Sequence, residues 1–282
     1  MIILIDAGNT RVKAGWVDPE TGERETTVLA LKHENLDQLS HWVAHLPRPP
    51  HRALGVNVAG DIVGAAIEDT LQLHDCDMKW ANGESQTLNV ENHYEYPDQL
   101  GSDRWLALIG LAQRPHPEAN QQDTGTQLPA PLILASFGTA TTIDTLCVDQ
   151  QASTAEKLHY VFQGGLILPG PALMRTSLAE QTAHLPDAQG SITAYPTHTL
   201  QAISSGVAAA QGGAVIRQWL VGLDYFGRAP RIFTTGGGWQ LVQDELRNRL
   251  HSAQSRLNLP QTPIEWLESP ALDGLAALAL QS

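Results

Sequence analysis

The hydrophobic pattern divides the chain into two halves that open in the same way. Residues 2–5 form a short aliphatic run that stops at Asp6-Ala7-Gly8-Asn9-Thr10, after which Val12, Ala14, Trp16 and Asp18 leave an alternating trace. Alternation after a turn-forming cluster predicts strand, tight turn, strand. Far along the chain, Leu132-Ile133-Leu134-Ala135 runs into Ser136-Phe137-Gly138-Thr139, and Thr141, Ile143, Thr145 and Cys147 alternate in turn. The spacing predicts one module used twice.

Residues 114–130 carry Pro115, Pro117, Gly125 and Pro129 among Gln, Asn and Asp, the composition of a loop. This places a domain boundary there, with domains at 1–118 and 130–282. Before it, Ser102–Ala112 reads as a helix with a broad apolar stripe of Trp105, Leu106, Leu108, Ile109 and Ala112. After it, an apolar strand at 166–168 lies between Gly164-Gly165 and Pro169-Gly170-Pro171. Residues 199–221 read as a long Ala-rich helix whose Gly206, Gly212 and Gly213 permit close approach by another backbone, such as a partner subunit's. A strand at 232–235 enters Gly236-Gly237-Gly238, and an Ala/Leu-rich helix at 272–280 closes the chain. Strands alternating with helices in both halves predict an α/β fold.

Composition narrows the partners. The 282 residues are 42% hydrophobic and 17% charged, an ordinary globular balance. With 17 Lys+Arg against 30 Asp+Glu, the net charge of −13 repels phosphate backbones and anionic lipid, so nucleic acid and membranes are unfavoured partners. No apolar run approaches the roughly 18 residues needed to span a bilayer. Cys76 and Cys147 match no metal or redox spacing, which suits a cytoplasmic location.

The candidate chemistry lies at the strand ends. A strand ending in Asp and followed by Gly and a hydroxyl residue can serve a nucleotide. The Asp6 carboxylate can hold hydrated Mg²⁺, Gly8 lets the amides of Asn9 and Thr10 approach a phosphate, and Lys13 adds positive charge. The same residues also make an ordinary hairpin turn. The second copy, Gly138-Thr139-Ala140-Thr141-Thr142, repeats the glycine and hydroxyls but has Ser136 where the first has Asp6, so a metal belongs mainly to Asp6. Gly101-Ser102-Asp103-Arg104 opens a helix. There Asp103 is either an N-terminal dipole partner or a base accepting a hydroxyl proton, with Arg104 steadying a substrate. Gly236, Gly237 and Gly238 can seat a purine ring on bare backbone, or form a flexible turn. P-loop, dinucleotide-fold and nucleophile-elbow signatures are absent.

Taken together and in this order, these residues resemble the type III pantothenate kinase family. That resemblance implies two duplicated ribonuclease-H-like domains of the acetate and sugar kinase, actin and heat-shock ATPase superfamily. Asp6-Ala7-Gly8-Asn9-Thr10 with Lys13 is similar to the family's first phosphate motif. Tyr94, Pro97 and Leu100-Gly101-Ser102-Asp103-Arg104 are similar to its substrate and catalytic motif. Gly138-Thr139-Ala140 resembles the second phosphate motif, and Thr235-Gly236-Gly237-Gly238 the nucleotide-base motif.

The resemblance implies ATP-dependent phosphorylation of the terminal hydroxyl of pantothenate, the first step towards coenzyme A. It makes Asp103 the general base and Asp6 the Mg²⁺ ligand. ATP contacts carry over to Asp6, Ala7, Gly8, Asn9, Thr10, Arg11, Val12, Lys13, Gly138, Thr139, Ala140, Thr141, Gly236 and Gly237. Pantothenate contacts carry over to Tyr94, Gly101, Ser102, Asp103, Arg104 and, from the other subunit of a homodimer, Thr182. The family usually has Asp at the position of Ser136 and uses a monovalent cation, K⁺ or NH₄⁺, near that motif. The segment from Phe137 to Asp144 more closely resembles the Bvg accessory factor branch. It implies a rival role, a non-catalytic accessory factor in transcription that acts through a protein partner.

Overall fold

The computed structural model describes residues 1–115, 129–154 and 157–281. They form two compact units that are discontinuous in sequence.

Unit 1 opens with β1 (Ile2–Ala7), β2 (Arg11–Val17) and β3 (Leu29–Lys32), followed by α1 (Asp37–Ala44), β4 (Arg52–Asn57), α2 (Asp61–Gln72) and β5 (Asp77–Trp80). Its sheet runs β3-β2-β1-β4-β5, with β1 antiparallel to β2 and parallel to β4. Period-two alternation aims Ile3, Ile5 and Ala7 at Leu39 and Val43 of α1 and at Ile67 and Leu71 of α2, all buried. Leu4, pointing the other way, is equally buried. Two short strands, β6 (Gln86–Thr87) and β7 (Val90–Asn92), precede α3 (Ser102–Ala112).

Unit 2 repeats the plan. It contains β8 (Leu132–Phe137), β9 (Ala140–Asp149) and most of β10 (His159–Pro169), then α4 (Pro171–Gln181), α5 (Thr199–Phe226), β11 (Arg231–Thr235), α6 (Trp239–Arg256) and β12 (Ile264–Trp266). The order is β12-β11-β8-β9-β10, with β8 antiparallel to β9 and parallel to β11. Numbered from its own first strand, each sheet therefore runs third, second, first, fourth, fifth. In each copy a backbone N–H beyond the fourth strand closes on the last carbonyl of the first, one position further along in the second copy. Val58 N–H donates to the carbonyl of Ala7 at 2.9 Å, and Gly238 N–H donates to that of Phe137 at 2.8 Å. Val215 and Trp219 of α5 and Val242 and Leu246 of α6 bury the inner face of β8.

The last helix, α7 (Pro270–Ala279), belongs to unit 1, as do residues from 149 to 162, where Tyr160, Val161 and Phe162 pair with β7. A division into 1–118 and 130–282 assigns both segments to the other half. The reason lies in packing: α7 is apolar nearly all round, and α3 offers it a facing stripe with a glycine at the crossing. A Cβ on Gly110 would strike the carbonyl of Pro270 and lie 2.8 Å from the nitrogen of Gly274, and one on Gly274 would strike the carbonyl of Leu106. Only two glycines let these backbones approach so closely. Two further differences are that α5 runs on to Phe226 and that β10 is 11 residues long, well beyond the apolar stretch at 166–168. The interior of the boundary loop, residues 116–128, lies outside the described residues. Among the described residues, no helix is long and apolar enough to cross a membrane.

Gly274→Ala should therefore destabilise the protein by about 1–3 kcal/mol, because the new methyl meets backbone that cannot rotate away. Urea unfolding followed by circular dichroism measures this, and an unchanged midpoint would contradict the crossing.

Candidate active site

In unit 1, β1 lies between an antiparallel and a parallel neighbour, and its C-terminal end is where such sheets present ligands. Asp6 sits there, directly across from Lys13 on β2. Burial pushes the Asp6 carboxyl up from 3.8 to about 6; the Lys13 ammonium opposes the rise and the Asp103 carboxylate adds to it. The two acids thus lie within one another's field although nearly the whole of unit 1 separates them in sequence. The Lys13 ammonium also donates to Ser269 Oγ at 3.2 Å, at the N-cap of α7.

Between Ala7 and Arg11 the chain turns through Gly8, Asn9 and Thr10. Gly8 N–H donates to the carbonyl of Arg11 at 3.0 Å, and Asn9, Thr10 and Arg11 are exposed. Ala7 and Val12 are buried in the core, so only their backbone can meet a ligand.

Asp103 stands in the first turn of α3. Its Oδ1 accepts from the backbone N–H of Arg104 at 2.8 Å, and a Cβ on Gly101 would lie 2.8 Å from that oxygen. Glycine before the helix thus lets the carboxylate fold back onto its own helix terminus, leaving Oδ2 for another partner. The Arg104 guanidinium donates to Tyr94 Oη at 3.3 Å and lies 5.9 Å from the Tyr94 ring centroid. Tyr94 packs on Phe162 with ring centroids 5.2 Å apart. Buried Asn92 accepts from the Tyr94 N–H at 3.0 Å and donates to the carbonyls of Glu84 and Pro97. Asp6, Lys13 and Asp103 therefore form one charged group, and Tyr94, Gly101, Ser102, Asp103 and Arg104 one contiguous patch.

In unit 2, Ser136 pairs with Thr142 and Thr235 at the corresponding strand end. Gly138 and Thr139 form the turn, one residue shorter than the first copy's. Here glycines fix the geometry. Gly236 adopts φ 94°, and a Cβ on it would lie 2.5 Å from the carbonyl of Phe137. A Cβ on Gly170 would strike the carbonyl of Gly138. Gly236 and Gly237 therefore lie beside the Gly138 turn. Ala140 opens β9, and Thr141 is fully buried with its Oγ1 lacking a partner among the described residues. Thr182 is exposed at the end of α4, where its hydroxyl donates to the carbonyl of Leu178 at 2.7 Å.

Three neighbours of these residues do not stand out in the sequence: Asn92, Ser269 and His33, whose Nε2 lies 2.9 Å from the carbonyl oxygen of Gly8. Each acts on a residue distant in the chain or through its own backbone neighbours, and none falls in a spaced motif. Asn92 stands between Glu91 and His93, so nothing in its sequence neighbourhood marks it as buried.

The Asp6 environment has a measurable consequence. The native carboxyl holds its proton more tightly than the unfolded one, so between pH about 4 and 6 the native state carries the extra proton. This group's contribution to stability therefore falls as the pH rises through that window. Asp6→Asn, which cannot ionise, should gain melting temperature relative to the parent between pH 4 and 7. A difference that does not vary with pH would overturn the assignment.

A family model described as type III pantothenate kinase matches residues 2–220. A type III pantothenate kinase of Bordetella pertussis is 48% identical over 286 aligned residues, covering 100% of this chain and 98% of the relative. One from Bordetella petrii is 45% identical, covering 100% and 98%. Among solved structures, a Baf family protein from Campylobacter jejuni, described as a transcriptional activator, superposes with a TM-score of 0.53 at 18% identity, covering 99% of this chain and 98% of its own; that likeness concerns the fold. With strand order, motifs and full-length relatives in agreement, the chain belongs to the type III pantothenate kinase family.

Proposed function

We propose that the protein transfers the γ-phosphoryl group of ATP to the terminal hydroxyl of pantothenate, giving 4'-phosphopantothenate and ADP, the first step of coenzyme A synthesis. The observation that carries this reading is the placing of Asp6, Lys13 and Asp103 in one charged group, next to the Tyr94–Arg104 patch. Asp103 accepts the hydroxyl proton as the oxygen attacks phosphorus. Arg104, held by Tyr94, binds the pantothenate carboxylate. The loose transition state asks more of positioning than of basicity. Lys13 and the turn amides of Asn9 and Thr10 take phosphate oxygens, as do Gly138, Thr139 and Ala140 in unit 2, while Gly236 and Gly237 seat the base.

The donor set suits Mg²⁺: Asp6 offers a hard anionic oxygen whose charge is disfavoured by burial and by Asp103, and a cation offsets both. Mg²⁺, when bound, neutralises charge on the transferring phosphate. At the second turn a monovalent cation, K⁺ or NH₄⁺, would meet the neutral Ser136 hydroxyl in place of a carboxylate, the orphaned Thr141 Oγ1 lying on the opposite face of the hairpin. An accessory role in transcription requires none of these carboxylates, and their retention favours the kinase.

The reading extends to a cytoplasmic homodimer in which Thr182 of a second copy completes the pantothenate site. Supporting it is an open hollow between α5 and α6, where Gly213, Ile216, Leu220 and Val221 are bordered by charged Arg217, Asp224, Glu245 and Arg249, and a Cβ on Gly213 would meet nothing within 4 Å.

A coupled assay should show ADP release that depends on pantothenate; release that ignores pantothenate would sink the proposal. Asp103→Asn should lower kcat by about 10²-fold or more while ATP still binds. For the dimer, Gly213→Arg should convert the sedimenting species to monomer and abolish turnover with the fold intact. An unchanged dimer would remove α5 from the interface.

A further inference from the structure

The third strand of unit 1 ends at Lys32, paired with Arg11, and continuing that register sets His33 beside the turn at residues 8–10. His33 is half-buried, and its Nε2 lies 2.9 Å from the carbonyl oxygen of Gly8. A carbonyl can only accept, so the ring nitrogen donates. The peptide joining Gly8 to Asn9 is planar and trans, so its C=O and N–H point in opposite directions. Drawing the Gly8 oxygen towards His33 therefore turns the Asn9 N–H to the opposite side of the turn. Among the described residues, that N–H has no acceptor.

Unit 2 supplies an independent parallel. Its third strand ends at Pro169, and the next residue, Gly170, donates its backbone N–H to the carbonyl of Thr139 in the second turn at 2.9 Å. In both copies, the residue just past the third strand holds a carbonyl of the turn. One copy uses backbone and the other an imidazole.

Resting on the kinase reading above, we infer that His33 is a positioning residue for ATP. It locks the Gly8–Asn9 peptide in the orientation that presents the Asn9 N–H to a phosphate oxygen. Without the lock, glycine's conformational freedom lets that peptide rotate and turn a carbonyl oxygen towards the phosphates, where it repels them. His33 touches no substrate itself.

The test compares steady-state kinetics and thermal unfolding of the full-length protein with His33→Ala and His33→Gln, the latter retaining an N–H donor of similar reach. For His33→Ala, KM for ATP should rise about five- to tenfold, the worth of one hydrogen bond. KM for pantothenate should stay as in the parent, and His33→Gln should recover most of the loss. Equal changes in both KM values that follow a lowered melting temperature, or no change in KM for ATP, would overturn the inference. Failure of the kinase reading shows separately, as a parent protein without pantothenate-dependent ADP release.

Discussion

Two carboxylates held within one another's field at the end of a buried strand work against folding, and much of unit 1 serves to keep them there. Asp6 cannot retreat, because the residues around it on β1 are locked into both faces of the sheet. Asp103 cannot retreat either, because α3 is held against α7 by the glycine crossing at Gly110 and Gly274. Lys13 compensates in part, and its ammonium is itself tethered to Ser269 at the start of α7. The same helix that wedges α3 into place therefore also anchors the cation beside Asp6. A positive charge brought in with a ligand would relieve what the fold leaves unbalanced, so on the proposed reading affinity for a metal nucleotide and cost to the free protein have one physical origin.

The duplicated frame explains where the chemistry can be and why its copies differ. Equal strand order and a closing hydrogen bond at the end of each first strand put a turn at the same end of each sheet. The first turn carries charge, with Asp6 before it and Lys13 after it. The second turn is one residue shorter, neutral at Ser136, and crowded by Gly170, Gly236 and Gly238, whose missing side chains admit backbone to backbone contact. One copy suits charged phosphate and metal chemistry, and the other suits a flat group lying on bare backbone.

The hydrophobic pattern made the two hairpins and α3 legible, but α1, β4, α2 and α6, which also bury one face, are not among the elements read from it. The alternation after Asp6 and after Ser136 gave both hairpins, and the stripe from Trp105 to Ala112 gave α3 with its observed ends. The sequence also marked Asp6, which ends an apolar run just before a turn, and Asp103 and Arg104, which follow a helix-start signal. What it did not show was pairing at long range. Nothing in the composition of residues 270–279 says that they return to the first unit, since an apolar helix of that kind could cover either sheet. Only the glycine at each side of the crossing distinguishes α3 as the partner. Similarly, His33 reads as an unremarkable polar residue until the register of β2 with β3 places it beside Gly8.

The Tyr94–Arg104 patch, to which the proposed reading assigns the substrate, is ordered by short-range contacts. Asp103 Oδ1 accepts from its own helix N–H, which, among the described residues, leaves Oδ2 for another partner. The Arg104 guanidinium rests against Tyr94, Tyr94 rests on Phe162, and the Tyr94 backbone is held by buried Asn92. Each contact restricts a rotamer, so if Asp103 serves as the proposed base, part of the entropy of aligning it with a hydroxyl is spent during folding. Phosphoryl transfer draws little on the strength of the base, so on the proposed reading this alignment is what the Asp103 carboxylate has to contribute.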